Sequence, residues 1–204
     1  MKKIILALSV LALTTSSLFA QKEKDEEEKG FKMENLFTGG SVSLAFYNNT
    51  FLVGVSPVFG YSIAKWVDAG IVVNYNYTSY RDYGFVYNDK LRQKVYGGGT
   101  FVKLYPVRFL FAQAQFEHNF IQQKYIPNIG ATQTYTTDAN SFLVGGGYTT
   151  GRYGPGGDMF YYLAVLFDVS GNINSPYTDA HGRSIPIIRG GIQIPLFQGS
   201  GRDR

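Results

Sequence analysis

Few residues in this chain are equipped for chemistry, and their types and spacing narrow what that chemistry is. No cysteine occurs among the 204 residues, which removes thiolate nucleophiles, thiolate metal ligands, disulfides and a lipoprotein anchor. The two histidines are His118 and His181. His181 lies in Asp179-Ala180-His181-Gly182-Arg183-Ser184, where a base near a carboxylate and a hydroxyl has the parts that activate a nucleophile. Spacing alone carries no three-dimensional geometry, and a plain polar loop accounts for the same residues. His118 alternates with Phe116 and Phe120, which assigns it to an apolar face as an interfacial or subunit contact. Two scattered histidines do not make a metal site. No cofactor is expected either: the runs Gly97-Gly98-Gly99 and Gly145-Gly146-Gly147 precede no Gly-Lys-Ser or Gly-Lys-Thr and open no helix. The remaining candidates are four charged residues, Lys103, Glu117, Asp168 and Arg189, whose meaning depends on the elements that carry them.

Those elements read as strands. In Ala69 to Tyr80, Ala69, Ile71, Val73, Tyr75 and Tyr77 share one face, and Gly70, Val72, Asn74, Asn76 and Thr78 the other. The aromatics gather at one end of the apolar face, where a membrane strand carries its interfacial girdle. Composition agrees, since 24 Gly, 16 Tyr and 16 Phe with 17% charged residues favour strands and tight turns over helices.

Eight such segments follow one another: Thr38 to Tyr47, Phe51 to Ile63, Ala69 to Tyr80, Lys94 to Tyr105, Phe109 to Gln123, Ala139 to Thr149, Asp158 to Val169 and Ser184 to Phe197. Pro57 lacks a ladder donor, so a bulge is expected in the second. The fifth alternates most clearly, with Leu110, Ala112, Ala114, Phe116 and Phe120 against Gln113, Gln115, Glu117 and Asn119. After the first hairpin the connections run short, long, short, long, short, long, as in a barrel with tight turns at one end and exposed loops at the other. The long ones are Arg81 to Gln93, Tyr125 to Asp138 and Ser170 to Arg183. The predicted fold is an all-β, eight-stranded antiparallel transmembrane up-and-down β-barrel with its apolar faces outward.

That phasing turns Lys103, Glu117, Asp168 and Arg189 into the lumen, the last three at similar heights, as an ionic cluster. Eight strands enclose only enough room for side chains, so a hydrogen-bonded plug is favoured over a gate for small ions. In the long loops Arg81, Tyr83, Lys90, Arg92, Lys124 and Tyr125 are candidate surface contacts, with simple solvation as the plainer reading.

Ahead of the barrel, Met1 to Ala20 has two lysines, an apolar run from Ile4 to Leu13 and a small-residue end, the layout of a secretory signal peptide cut after Ala20. Residues 21–35 mix acids and lysines too densely to bury themselves and read as a flexible charged segment. The barrel is assigned to 36–197 and a polar tail to 198–204. Without Lys2 and Lys3, the 19 basic residues fall to 17 against 15 acidic, too even a balance for a nucleic-acid surface.

With these strands, turns and leader, the chain resembles the small eight-stranded outer-membrane barrels of Gram-negative bacteria, of the OmpX and OmpA transmembrane-domain type. The last strand, Gly191-Ile192-Gln193-Ile194-Pro195-Leu196-Phe197, looks like the terminal signature that barrel-assembly machinery reads in that family, although Phe197 is out of phase with Ile192, Ile194 and Leu196. The resemblance implies residence in the outer membrane among its lipids and lipopolysaccharide. It also implies a non-enzymatic structural or surface-interaction role, with an extracellular ligand or protein as partner. Some barrels of this architecture acylate or deacylate lipopolysaccharide, so an enzyme using His181 is the alternative. A soluble exported barrel holding an apolar ligand is another.

Overall fold

The structure is a computed structural model and describes residues 30–47, 50–82, 89–178 and 183–197. The chain divides into two compact units, Met1–Phe31 and Lys32–Arg204. The expected leader, Tyr83, His181 and the tail 198–204 lie outside the described residues, as does the charged segment up to Lys29.

The second unit opens with a 3-10 turn, Met33–Asn35, and continues as eight strands: β1 (Leu36–Tyr47), β2 (Thr50–Ala64), β3 (Val67–Arg81), β4 (Lys90–Val107), β5 (Leu110–Ile126), β6 (Gln133–Thr149), β7 (Phe160–Asp168) and β8 (Ile187–Pro195). Each pairs antiparallel with the next, and β8 returns to β1 through Phe37↔Pro195 to Leu44↔Ile188, which closes the barrel. Followed once around the ring, the registers return to β1 roughly ten residues further along it, the offset that tilted strands of a small barrel require.

The alternation expected from the sequence is the alternation observed. In β3, Ile71, Val73 and Tyr75 are exposed while Val72, Asn74, Asn76 and Thr78 are buried; β7 strictly alternates buried and exposed along its length. The barrel is thus inverted relative to a water-soluble sheet. Its wall shows Val55, Phe59, Ile71, Val102, Phe116, Leu163 and Ile188 outward, and its interior holds serines, asparagines, glutamines and charges. A wall of that kind suits hydrocarbon, where each strand must bond to a neighbour and no edge can stay open. Among the described residues no helix is long and apolar enough to cross a membrane, which has no bearing on strands.

Three details differ from expectation. No bulge forms at Pro57: the β2–β3 register is the same on both sides of it, and the irregularity falls between Ser62 and Ala64 instead. Pro57 faces outward, where its missing donor interrupts the ladder without shifting it. The strands β4, β5 and β6 reach beyond the apolar band, so the loop expected at Tyr125 to Asp138 shrinks to 127–132, and the one before Gln93 ends at Asp89. The β6 extension, Gln133 to Asp138, is polar and exposed on both faces, which removes the in-and-out signal while leaving the backbone ladder intact, as in Tyr125↔Gln133; on the β4 extension Leu91 and Gln93 stay buried. The last two strands are shorter than expected, beginning at Phe160 and Ile187.

The glycine runs mark close approaches between strands. A Cβ on Gly99 would lie 1.7 Å from the carbonyl oxygen of Phe116 on β5, and one on Gly145 would lie 2.0 Å from that of Val165 on β7. Only glycine fits against a neighbouring backbone at that distance.

Candidate functional site

The lumen is built from the inward positions of all eight strands and from side chains delivered by connections at opposite ends, Arg152 at one and Ser175 and Tyr177 at the other. The centre is Glu117 on β5, fully buried. Its Oε1 accepts hydrogen bonds from Gln115 Nε2 (2.5 Å) and from an Arg189 guanidinium NH2 group (3.2 Å), and its Oε2 from Tyr177 Oη (2.6 Å) and Asn119 Nδ2 (3.2 Å). Gln113 donates to Gln115 (2.7 Å), Asn76 to the Tyr177 hydroxyl (3.1 Å) and Asn74 to Asn119 (2.6 Å), so the carboxylate takes its donors from β5, β8 and the β7–β8 connection, and β3 holds two of those donors from behind. A buried carboxylate is stable only when its charge and lone pairs are met in this way.

A second pair closes the end that carries the short turns. Arg152, from the β6–β7 connection, donates to both oxygens of Asp68 on β3, through NH2 to Oδ1 (2.5 Å) and Nε to Oδ2 (3.1 Å). It also donates to the carbonyls of Ala64 (3.0 Å) and Lys65 and lies 4.5 Å from the Tyr105 ring centroid. Gln193 on β8 adds a donor to Asp68 (2.9 Å). The forked guanidinium matches a carboxylate and two carbonyls at once, which an ammonium does not.

The four charged residues singled out from the sequence all face inward and are buried, but they do not meet at one point. Glu117 and Arg189 form an ion pair. Asp168 accepts from the backbone N–H of Phe142 (3.1 Å) and Ser170 (2.9 Å) and from the Ser175 hydroxyl, and so shapes the start of the β7–β8 connection. Lys103 takes no ion pair among the described residues. Its Nζ sits 4.0 Å from the Tyr162 ring centroid, with Phe111 and Phe101 at 5.4 and 5.5 Å, a cation against ring faces. A space of about 10 Å³ is left beside these groups, bordered by Ser41, Ser56, Lys103, Tyr162 and Arg189. That is close to the least that holds one water.

Sequence reasoning missed Asp68, Arg152 and Tyr177. Asp68 was legible, since it is two residues before inward Gly70. Arg152 and Tyr177 were not, because they sit in connections where no strand period applies.

Of the expected surface contacts, Arg81 ends β3, Lys90 and Arg92 lie on β4, and Lys124 and Tyr125 lie on β5, so these five stand on strands and not in loops. Tyr125 turns to the inward face and donates to Asp89 Oδ2 (3.0 Å), a hydrogen bond that raises its phenol above the usual value. His118 faces outward, with Nδ1 2.7 Å from Asn140 Oδ1 and its ring edge-on to Phe120 at 4.9 Å. Among the described residues no group of three or more potential ligands is placed to hold a metal.

No family model matches the chain and no curated protein matches it. Among solved structures it is similar to Ail, the attachment invasion locus protein of Yersinia pestis, at 8% identity and a TM-score of 0.46, covering 78% of this chain and 94% of that one. It is also similar to the N-terminal β-barrel domain of Pseudomonas aeruginosa OprF, at 13% identity and a TM-score of 0.39, over 78% and 96%. Neisserial surface protein A follows at 10% and 0.39, over 79% and 96%. These neighbours are small eight-stranded outer-membrane barrels. Ail has also been solved in complex with the heparin analogue sucrose octasulfate. At these identities and scores the likeness is one of general form, and the barrel described above stands on its own strand pairing.

Proposed function

We propose that the chain is an exported outer-membrane barrel, non-enzymatic, that acts as a structural and surface-interaction protein through the end opposite Leu36 and Pro195. The observation that carries this reading is the sidedness of the wall, apolar outward and hydrogen-bonded inward. The buried networks at Glu117 and Asp68 make the lumen a filled interior and not a diffusion path. The charged cluster expected from the sequence serves as structural filling. His118, bound to Asn140 and Phe120, has the surroundings of a wall contact.

In this reading residues 1–20 are removed on export, 21–35 form a charged spacer, and the exposed Leu196 and Phe197 after β8 are offered to barrel-assembly machinery. Outer-membrane lipids and lipopolysaccharide surround the wall, and an extracellular ligand or protein meets the rim. Cell fractionation combined with surface proteolysis tests location and orientation together. Recovery in the outer membrane, with cleavage in 127–132 on intact cells, is the expected result. A chain that purifies without detergent, or steady conductance in a planar bilayer, would refute the reading. Lipid A mass spectra that change in His181→Ala cells would refute the non-enzymatic part.

A further inference from the structure

The outward charges of this barrel are not spread around it. β1, β2, β6 and β7 carry no lysine or arginine, and the single one on β8, Arg189, points inward. The outward-facing strand cations are Arg81 on β3, Lys90, Arg92 and Lys94 on β4, and Lys124 on β5, all at the end away from Leu36 and Pro195. Register brings them together: Arg81 pairs with Lys90, and Arg92 with Lys124. Directly opposite residues hold their Cβ atoms roughly 5 Å apart, and like charges so placed repel.

None of the five takes an ion pair among the described residues. The nearby acids are Asp82, which follows Arg81, Asp89, which precedes Lys90 and accepts from Tyr125 on the inward side, and Asp138, which pairs with Phe120 on the neighbouring strand. Three carboxylates do not balance five cations.

Directly beneath this patch the wall becomes aromatic and then aliphatic. Lys94 pairs with Tyr77, and one step further Tyr96 pairs with Tyr75 on one side and with Phe120 on the other. The Tyr96 and Phe120 rings stack at 5.6 Å. Below them Val73 and Phe116 are exposed. Cation, ring and aliphatic wall in vertical sequence match an amphiphile with phosphate at its head and acyl chains below.

We propose that the outer face of β3–β5 binds a phosphate-bearing glycolipid of the surrounding leaflet. Arg92, Lys94 and Lys124 hold the phosphates, Tyr96 and Phe120 mark the boundary, and the acyl chains lie along Val73 and Phe116. The inference rests on the outer-membrane reading above. It replaces the loop contacts expected from the sequence: Tyr125 leaves the set because it faces inward, and Lys94 joins it.

The test is binding of bisphosphorylated lipid A to the full-length mature protein in detergent, followed by titration and by the rise in thermal midpoint. Dephosphorylated lipid A of the same acylation, inorganic phosphate and heparin are the comparison probes. The expected result is saturable binding of the bisphosphorylated lipid that weakens with salt, at least tenfold weaker binding of the dephosphorylated one, and no comparable effect of phosphate alone. The triple variant Arg92→Gln, Lys94→Gln, Lys124→Gln should lose at least tenfold in affinity. Lys65→Gln with Arg108→Gln, at the opposite end, should not. Retained heat-modifiable migration shows that each variant is folded. Equal binding by the triple variant, indifference to the phosphates, or tighter binding of heparin would each overturn the proposal. Fractionation separates the two readings: a chain found in the outer membrane whose triple variant still binds lipid A loses only this inference.

Discussion

Removing the Glu117 carboxylate is the most direct way to ask whether the lumen is held by electrostatic satisfaction or merely filled. In Glu117→Ala the Arg189 guanidinium keeps its burial and loses its only ion-pair partner among the described residues. Breaking a buried pair from one side costs about 3–5 kcal/mol, because a charge is left desolvated and uncompensated. Three further donors, Gln115 Nε2, Asn119 Nδ2 and Tyr177 Oη, lose a charged acceptor, at about 1–3 kcal/mol for each that finds no substitute. These terms overlap, so a loss of roughly 3–5 kcal/mol is expected, two to nearly four orders of magnitude in the folding constant. Reversible urea unfolding in lipid vesicles, followed by tryptophan fluorescence and gel mobility, measures it. The paired variant Glu117→Leu with Arg189→Met removes both charges and should recover most of the loss, since an apolar replacement leaves no orphan charge. A single variant within about 1 kcal/mol of the parent would refute the argument. A double variant as unstable as the sum of the two singles would refute it equally.

Lys103 behaves oppositely. Its ammonium rests on rings and takes no described ion pair, so Lys103→Met should stay within about 1 kcal/mol of the parent or exceed it in the same unfolding assay. Arg152→Ala leaves Asp68 buried without its cation and should cost about 3–5 kcal/mol. Arg152→Lys should recover only part, because one ammonium cannot reach both carboxylate oxygens and the carbonyls of Ala64 and Lys65. Gly99→Ala would drive a Cβ into the Phe116 carbonyl and should cost at least about 2 kcal/mol, while Gly190→Ala meets nothing within 4 Å and should be neutral or slightly stabilising. Equal midpoints for the two alanine variants would show that the strand approach at Gly99 is not tight.

What the sequence made legible followed its period. Wherever one face met an apolar surround and the other a crowded lumen, as along Ile71 to Thr78 or Phe160 to Asp168, the alternation located both strand and phase. It failed where both faces meet water. Gln133 to Asp138 is a strand exposed on both faces, held by ladder pairing to β5 that composition does not encode, while Lys90 to Gln93 offers one apolar residue, Leu91, as its inward mark. Lys103, Glu117, Asp168 and Arg189 are buried on the inward face, a matter of local phase. Two further contacts were not legible, because Glu117 and Tyr177 stand 60 positions apart, and Asp68 and Arg152 stand 84 apart. Strand period says which way a side chain points, but not which connection folds back to meet it.

The two buried carboxylates are therefore met by different kinds of partner. Glu117 receives its cation from a strand and a hydroxyl from the β7–β8 connection, whereas Asp68 receives its cation wholly from the β6–β7 connection at the other end. A barrel of eight strands can close its wall by backbone pairing alone, yet the charges inside that wall are satisfied only when both connections are seated. Residues 150–159 and 169–178 of the two connections thus act as parts of the core that enter through the barrel's ends. The outward cations Arg81, Lys90, Arg92, Lys94 and Lys124 lie outside this constraint. They face away from the lumen and touch neither network, so the patch is free to answer to whatever lies against the wall.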